Sequence, residues 1–510
     1  MPLLLSTLLL CASALTAQEF HVTKSDVFEE PEPGWNHLLQ LKNGNTFLFH
    51  IADKGSIDVT VFNKNRKLNG TKNVTSKLCD VADVVKEWLY EINGEAVLFF
   101  NVRDHSQYMM VRLRFNASDG TLISEEVLAK VGLPKSNAAE IGSVDLAKDP
   151  ASDYYAVVSS VRDRNFQDKI KVVHFDGEHK KINEADYKVG DPSGFRFTVY
   201  NSAMVEGNKR IYLILCGYKE KPKYDGTGRP VLIGDCEVII SRLNAGEKTF
   251  SNKTLELNVD MSEITSQMLY NRNTNKVQLR TRSLSESKKK IMSTITTRYY
   301  LSLVTYFDPE TLGIEQVKPV SVQKVNEYGA LHIDKDYAFQ GLPSRMVLNK
   351  DNTTTILMQK TTSWMENALD GDIGISVMSD TGAELNGYAI QKSQKETKDD
   401  HNEFLSYDYI STRRGNFVLI NDLASNFSKD EDDSKHKKVR SVSATNTVAY
   451  KLNAGSFEKF LFFGKPDDDS NIFSYMDGTD YCDITNTYAT VIMECKGRDK
   501  VARVAWVTFD

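Results

Sequence analysis

The chain has 510 residues, of which 41% are hydrophobic and 26% are charged, and its net charge is −6. This composition is typical of a folded globular protein rather than a disordered one. The near balance of charges excludes a general attraction for nucleic acid or for an anionic membrane surface.

The first segment, MPLLLSTLLLCASALTAQ, has an apolar run from Leu3 to Leu10 that is followed by small residues. The run is too short to span a bilayer as a helix, and we interpret residues 1–17 as a secretory signal peptide cleaved after Ala14 or Ala17. The alternative is a buried N-terminal strand, since no Lys or Arg precedes the run. We therefore expect an exported protein, in the periplasm, on the outer surface or secreted, whose mature part is residues 18–510.

The cysteines outside the signal peptide are five in number, so at least one has no partner within the chain. Cys216 and Cys236 lie on successive predicted strands of one hairpin and are candidates for a disulfide. Cys482 and Cys495 are a second candidate pair, and the alternative for all five is that they are buried thiols. The absence of a CxxC pair argues against a structural zinc site.

Eight segments of β-branched and aromatic residues recur along the chain, each closed by Asn or Asp, as in SIDVTVFN and LSLVTYFD. Such segments are typical of strands that run into a turn. They are spaced 53 to 73 residues apart, which indicates a repeat. The segments end at Asn63, Asn116, Asp176, Asn244, Asp308, Asp380, Asn453 and Asp510.

A second strand precedes most copies and is often apolar on both faces, as in AVLFF and LILC. Such strands need sheets packed face to face. Repeats of about 60 residues with four strands each predict an all-β fold, a single β-propeller of eight four-stranded blades. The alternative is a seven-bladed ring with one degenerate unit. The segment DVADVVKEWLYEI, residues 80–92, fits either a helix or an innermost strand.

The last segment, RVAWVTFD, falls at the third strand of the eighth unit, which then lacks an outer strand. The segment from Gln18 to Val27 is available to complete that blade. Pairing the two would close the ring without an unpaired edge.

The turns between second and third strands are long in four consecutive units and would form a raised rim on one face. Long loops on a rigid scaffold commonly carry binding sites, although long hairpins can also have no function. Within the rim, the residue types enriched at interaction hot spots are Tyr224, Arg229 and Trp364, and Lys288 and Lys289 belong to a basic stretch that could bind an anion. The four segments are 219–230, 283–298, 361–372 and 425–441.

The acidic segment Asp467–Asp480 offers a weak calcium candidate in Asp467, Asp469, Asp477 and Asp480, since calcium prefers oxygen ligands. The alternative is an ordinary Asp-rich turn. The sequence has no HExxH, no GxSxG and no phosphate-binding glycine loop. It therefore predicts no cofactor and identifies no catalytic residue.

On its eight strand segments and their spacing, the chain from residue 18 onward resembles the β-propeller superfamily in general. It lacks the signatures of WD40 and kelch repeats, the Asp-boxes of sialidases and the tryptophan docking motif of quinoprotein dehydrogenases. The start LLLCASALTAQ resembles a Gram-negative export signal. Since propellers host many functions, we expect a non-catalytic binding protein that holds a protein or cell-envelope component on the long-loop face.

The main alternative is a hydrolase or lyase that acts on glycans or peptides through carboxylates in the central channel. Strongly perturbed Asp or Glu pKa values around that channel would favour the enzyme. A third hypothesis is a purely structural envelope component.

Overall fold

The computed structural model describes most of the chain from residue 20 to residue 509. Residues 1–17, which the sequence predicts to be a signal peptide, Cys79 and parts of the four rim segments lie outside the described residues. The described residues are 20–29, 34–52, 56–78, 80, 83–104, 107–132, 141–162, 168–188, 194–220, 223–224, 232–233, 236–255, 262–285, 299–364, 367–395, 406–427, 436–467, 470–497 and 499–509.

The chain forms a β-propeller of eight blades, each an antiparallel sheet whose strands follow one another from the central axis outward. Blade 1 has β2 (Gly34–Gln40), β3 (Thr46–Ala52), β4 (Ile57–Phe62) and β5 (Leu68–Val74). Blade 2 has β6 (Val84–Ile92), β7 (Glu95–Asp104), β8 (Gln107–Phe115) and β9 (Leu122–Gly132). Blade 3 has β10 (Ile141–Lys148), β11 (Tyr155–Arg162), β12 (Asp168–Phe175) and β13 (Lys181–Tyr187). Blade 4 has β14 (Phe197–Glu206), β15 (Arg210–Tyr218), β18 (Cys236–Asn244) and β19 (Ser251–Leu255), with the small hairpin β16 (Lys223–Tyr224) and β17 (Leu232–Ile233).

The second half repeats this order. Blade 5 has β20 (Ser262–Asn271), β21 (Lys276–Ser285), β22 (Tyr299–Phe307) and β23 (Ile314–Pro319). Blade 6 has β24 (Leu342–Leu348), β25 (Thr354–Trp364), β26 (Asn367–Met378) and β27 (Glu384–Ile390), with β28 (Gln394–Lys395) added to β26. Blade 7 has β29 (Asp408–Thr412), β30 (Gly415–Leu423), β31 (Thr445–Asn453) and β32 (Ser456–Leu461). Blade 8 has β33 (Ser470–Ser474), β34 (Asp480–Cys482), β35 (Thr487–Lys496), β36 (Asp499–Phe509) and β1 (Phe20–Lys24). The eight repeated segments are the third strands, and the alternative of seven blades is wrong.

The hydrophobic core is divided into eight clusters, one between each pair of neighbouring blades. Strand β3 shows how the sequence produces this arrangement, because successive side chains of a strand point to opposite faces. Phe47 and Phe49 pack toward blade 2, whereas Leu48 packs toward blade 8. Both faces of the middle strands are therefore buried, which explains why they are apolar on both sides.

The ring closes through β1, which pairs antiparallel with β36 from Phe20 opposite Phe509 to Lys24 opposite Ala505. Phe20 is buried and stacks on Phe460 of blade 7 at 5.2 Å between ring centroids. The predicted completion of the last blade by an N-terminal strand is confirmed.

Each blade has its second-to-third strand connection on the same face as the links between blades, and we call this the link face; in blade 1 it carries residues 53–56 and 75–83. The opposite face, which we call the turn face, carries the remaining turns, such as residues 41–45. The antiparallel order of four strands places the two sets of connections on opposite faces.

Two expectations about link-face segments are wrong. Residues 467–480 are not simply an Asp-rich turn, because Ile472 and Phe473 are buried and form part of β33, the inner strand of blade 8. Residues 361–372 are not a loop either, because β25 and β26 stay paired as far as Trp364 opposite Asn367. The β-branched residues of that segment favour a strand.

The ambiguous segment of residues 80–92 contains a strand, β6. The helices of the described residues are α1 (Gln323–His332), α2 (Ala424–Phe427) and a short 3-10 helix (Val442–Ala444). Helix α1 was not predicted; it packs on the outer strand β27, where a Cβ on Gly387 would lie 2.4 Å from the backbone N of Val325. The helix covers the outer edge of blade 6.

Candidate binding site at the central channel

The inner strands of the eight blades border the central channel, and four of them carry a β-bulge. In β6, β14, β20 and β24 one extra residue opposes the second strand of the same blade. In β6, β14 and β24 the extra residues are Val85, Asn201 and Ser344. A bulge redirects side chains and is over-represented next to functional sites. Register shifts also occur between outer strands, as at Val61/Phe62 and His174/Phe175, so the bulges shape the channel wall in four blades but are not confined to it.

Polar side chains of blades 1 to 4 contact one another along this wall. The ring of His37 lies 3.0 Å from the carboxylate of Glu87. Lys86 lies 3.7 Å from the carboxylate of Asp145, which also accepts a hydrogen bond of 2.9 Å from the hydroxyl of Tyr200. These contacts join the inner strands of four consecutive blades.

The contacts continue through blades 4, 5 and 6. The bulged residue Asn201 donates to a backbone carbonyl of β20 at 2.6 Å, and the hydroxyls of Ser202 and Ser266 are 2.6 Å apart. Gln267 forms two hydrogen bonds with the backbone of Met346, of 2.8 and 2.7 Å. Amides and hydroxyls, rather than charges, form this sector of the wall.

Asp408 is the centre of the contacts among blades 6, 7 and 8. Its carboxylate lies 3.7 Å from the guanidinium of Arg345. It also accepts hydrogen bonds from Thr479 at 2.7 Å and from Tyr488 at 3.1 Å. This carboxylate is therefore held in a fixed position by groups from both neighbouring blades.

Asp477 completes the circle between blade 7 and blade 1. Its side chain is exposed, yet its pKa is raised by desolvation and by the charge of Asp408, while His37 has the opposite effect. The next residue, Gly478, accepts a hydrogen bond of 2.7 Å from the backbone N of Leu38. All eight blades thus contribute to one ring of polar side chains, which we call the channel ring: His37, Lys86, Glu87, Asp145, Tyr200, Asn201, Ser202, Ser266, Gln267, Arg345, Asp408, Asp477 and Thr479.

Asp480 lies close to the channel ring but has a different role. Its carboxylate accepts a hydrogen bond of 2.7 Å from the backbone N of Gln40, and its carbonyl accepts one of 3.0 Å from the Gln40 side chain. Burial raises the pKa of Asp480 to about 6. We interpret this residue as a brace between blades 8 and 1.

A carboxylate outside the ring supports the bulge of blade 4. Asp168 is buried, receives hydrogen bonds from Ser160 and Arg162, and accepts one of 2.8 Å from the backbone N of Tyr200. This bond fixes the backbone beside Asn201.

The sequence analysis did not identify Asp168, and of the channel ring it identified only Asp477. Polar residues within the otherwise apolar inner strands were the feature of the sequence that could have indicated the ring.

Two of the predicted rim residues, Tyr224 and Trp364, are described, and both lie on the link face. Tyr224 lies in β16, where it pairs with Leu232, and Trp364 ends β25; for both, only the backbone is described. Arg229, Lys288 and Lys289 lie outside the described residues.

The rim is physically connected between blades 6 and 7. Gln394, the first residue of the added strand β28, forms a bridge with Val439, whose backbone N donates to the carbonyl of Ser393 at 2.9 Å. In the same region Asn426 exchanges hydrogen bonds of 2.8 Å with the backbone of Lys437. These bonds anchor the described ends of the blade 7 segment beside the protruding hairpin of blade 6.

No disulfide joins any two of the four described cysteines. Cys216 and Cys236 belong to the same cluster between blades 4 and 5, and a hydrogen bond between the two side chains helps to raise the pKa of Cys216. Cys482 lies opposite Thr487, whereas Cys495 is eight residues further along β35, about 27 Å away at 3.4 Å per residue. The predicted pair of Cys482 and Cys495 is therefore wrong, since a disulfide needs Cα atoms within about 7 Å.

The calcium candidates do not form one site. Asp467 lies just before β33, whose first residue pairs with Lys496 at one end of β35. Asp480 pairs with Ala489, near the opposite end of β35. Asp469 lies outside the described residues. Within the described part of the chain, no group of three or more His, Cys, Asp or Glu side chains could hold a metal ion. No helix of the described ranges is long and apolar enough to cross a bilayer.

No protein-family model matches the sequence, and no curated protein matches it. Among solved structures, a protein from Lactobacillus plantarum is 10% identical over 79% of this chain and 90% of its own, with a TM-score of 0.39. The WD40 domain of SCAP from fission yeast is 9% identical over 98% and 96%, with a TM-score of 0.36. A mutant of the Synechocystis apocarotenoid oxygenase is 9% identical over 95% and 92%, with a TM-score of 0.35. These scores carry no argument about function, and the propeller is assigned from its own strand order.

Proposed function

We propose that this protein is an exported, non-catalytic binding protein that holds a protein or a cell-envelope component over the link-face mouth of its central channel. The observation that supports this most is the channel ring, to which every blade contributes a polar side chain. Bulges in the inner strands of blades 2, 4, 5 and 6 redirect side chains of this wall, and bulges are over-represented next to active sites. The raised, bridged rim of blades 6 and 7 would supply the outer part of the same binding surface.

The composition of the channel ring favours a partner that offers hydrogen-bond donors. The ring contains more carboxylates than basic side chains. The carboxylates are those of Glu87, Asp145, Asp408 and Asp477, and the basic side chains are Lys86 and Arg345. Asp477 is exposed to an incoming group, and a cationic or hydroxyl-bearing group would offset its unfavourable contact with Asp408. An amine of a protein partner or the hydroxyls of a glycan both meet this requirement.

A second candidate function is a hydrolase or lyase that acts on glycans or peptides in the channel. One observation favours it: Asp477 has a raised pKa beside a second carboxylate, that of Asp408. Two carboxylates in different environments are a common arrangement for acid–base chemistry. Asp477 would then donate a proton, and Asp408 would act as the base or as the electrostatic partner.

The test compares four proteins as bait with the native envelope fraction, using cross-linking. They are the unaltered protein, a variant with residues 361–372 shortened to a tight turn, Asp477→Asn and Asp119→Asn. Asp119 is exposed in a turn and binds Thr121, and Asn can make the same turn, so this variant is the matched control.

We expect a stoichiometric partner with the unaltered protein and with the control, and its loss or weakening in the other two. A partner retained equally by all four proteins would contradict the proposed surface. Release of glycan or peptide fragments by the unaltered protein but not by Asp477→Asn would replace the binding function with the second candidate.

A further inference from the structure

A buried guanidinium between blades 5 and 6 has no negative partner among the described residues. Arg280 lies on β21 and is only 5% exposed. Its described hydrogen bonds go to backbone carbonyls, of Pro343 at 2.9 Å and Ser344 at 3.3 Å. Neutral carbonyls compensate a buried charge only partly, and an uncompensated buried charge costs several kcal/mol.

The surroundings of Arg280 increase this imbalance. Arg282, two residues along the same strand and on the same face, also reaches the carbonyl of Pro343, at 3.5 Å. Burial and the charge of Arg282 lower the pKa of Arg280 to about 10. Two positive groups therefore share one side of the blade interface.

Two buried donors in this interface lack a partner. Within the described part of the chain, neither the Nε of Arg280 nor the hydroxyl of Ser302 has a hydrogen-bond partner, and Ser302 is 9% exposed. Ser302 lies directly opposite Arg282 in the pairing of β21 with β22, so it shares a face with both arginines. Buried donors of native proteins nearly always have partners, and one anion could accept from both.

We propose that the interface between blades 5 and 6 binds a small anion, held by Arg280 Nε and the Ser302 hydroxyl behind the channel wall. The anion is either a free halide or an acid group, carboxylate or phosphate. The site lies directly behind Pro343 and Ser344 of the inner strand β24, so an occupied site would fix the bulge that precedes Arg345. This inference does not depend on the proposed function.

Arg242 provides a matched control. It also donates to backbone carbonyls, of Pro309 at 2.8 Å and of Glu310, but a carboxylate lies close to it: the pKa of Glu310 is lowered chiefly by a hydrogen bond from Arg210 and further by the charge of Arg242. The Nε of Arg242, like that of Arg280, has no hydrogen-bond partner among the described residues. Arg242→Met therefore removes carbonyl bonds and an unpartnered Nε of the same type, but at an interface that already holds a carboxylate.

The experiment follows the melting temperature of the full chain at constant ionic strength while sodium gluconate, a bulky six-carbon carboxylate that serves as the reference anion, is replaced by sodium chloride, bromide, acetate or phosphate. Line broadening of ³⁵Cl in NMR spectra measures chloride binding directly. We expect a saturable rise in melting temperature with the unaltered protein and with Arg242→Met, and none with Arg280→Met. Ser302→Ala, a small change that should leave the fold intact, is expected to weaken the anion affinity about tenfold.

A saturable response to bromide and chloride would identify a free halide, and a response to acetate or phosphate only would identify an acid group. Two results would overturn the proposal if ³⁵Cl line broadening is also absent. One is a melting temperature that does not saturate with anion concentration, and the other is an equal rise in melting temperature in the unaltered protein and in Ser302→Ala.

Discussion

Replacement of Gly478 by Ala tests how tightly the ring closes at the channel. Gly478 has a φ of +72°, and a Cβ on it would lie 1.6 Å from the carbonyl oxygen of Asn36 in β2. Real Cβ contacts are not shorter than 3.0 Å, so the inner strand of blade 1 would have to move away by at least 3.0 − 1.6 = 1.4 Å. This movement would break the hydrogen bond from Leu38 to Gly478, now 2.7 Å long.

The expected cost has three parts. A left-handed Ala costs about 1 kcal/mol, the lost hydrogen bond about 1 kcal/mol and the forced displacement of packed backbone about 1–3 kcal/mol. Gly464→Ala is the matched control, because Gly464 has a φ of +82° but nothing lies within 4 Å of its Cβ position. It should show only the first cost.

Urea unfolding followed by tryptophan fluorescence measures both variants. We expect Gly478→Ala to lose about 2–4 kcal/mol more of the free energy of unfolding than Gly464→Ala. Equal losses in the two variants would refute the close approach of blades 8 and 1, and with it the position of Asp477 in the channel ring.

Three further predictions concern acid stability, a buried carboxyl and the thiols. Burial lowers the pKa of His174 and His179 to about 4, so the unfolded chain binds more protons below pH 6.5. The free energy of unfolding should therefore fall as the pH is lowered from about 6.5 to about 4, by up to about 3 kcal/mol per histidine. When it is measured by urea titration at several pH values in this range, it should decrease less steeply with falling pH in His179→Asn than in the unaltered protein. Because burial raises the pKa of Asp480 to about 6, its charged form opposes folding above pH 6. Asp480→Asn should be more stable than the unaltered protein by about 2 kcal/mol at pH 8, with an advantage that shrinks between about pH 6 and pH 4, and a less stable variant at pH 8 would contradict this. In an oxidising compartment Cys216 and Cys236 should form the predicted disulfide, and non-reducing peptide mass spectrometry that finds both thiols free after export would contradict it.

Much of the fold could be predicted from the sequence, because the information is local and repeated. Third strands such as Ile57–Phe62 alternate or run apolar over a few residues and end in Asn or Asp. Eight such segments at similar spacing define eight equivalent units, and the missing outer strand of the last unit pointed to β1. Strand type, blade number and ring closure all follow from such patterns.

The candidate site could not be predicted in the same way. His37 and Glu87 are 50 residues apart in sequence, and Asp408 and Tyr488 are 80 residues apart. Neither pair forms a motif, because each blade contributes only one to three residues to the channel ring. The bulges that redirect residues such as Asn201 depend on pairing registers that a single strand does not specify.

The sequence by itself therefore determined the β-propeller, because the burial of both faces of the middle strands is recorded in every repeat. Only the tertiary structure decided which polar side chains meet: it brought Asp477 beside Asp408, separated Asp467 from Asp480, and left Cys482 far from Cys495. The physical reason is that the pattern of apolar residues is a property of each strand, whereas a contact between side chains of different strands depends on how the strands pair and on how the blades close into a ring.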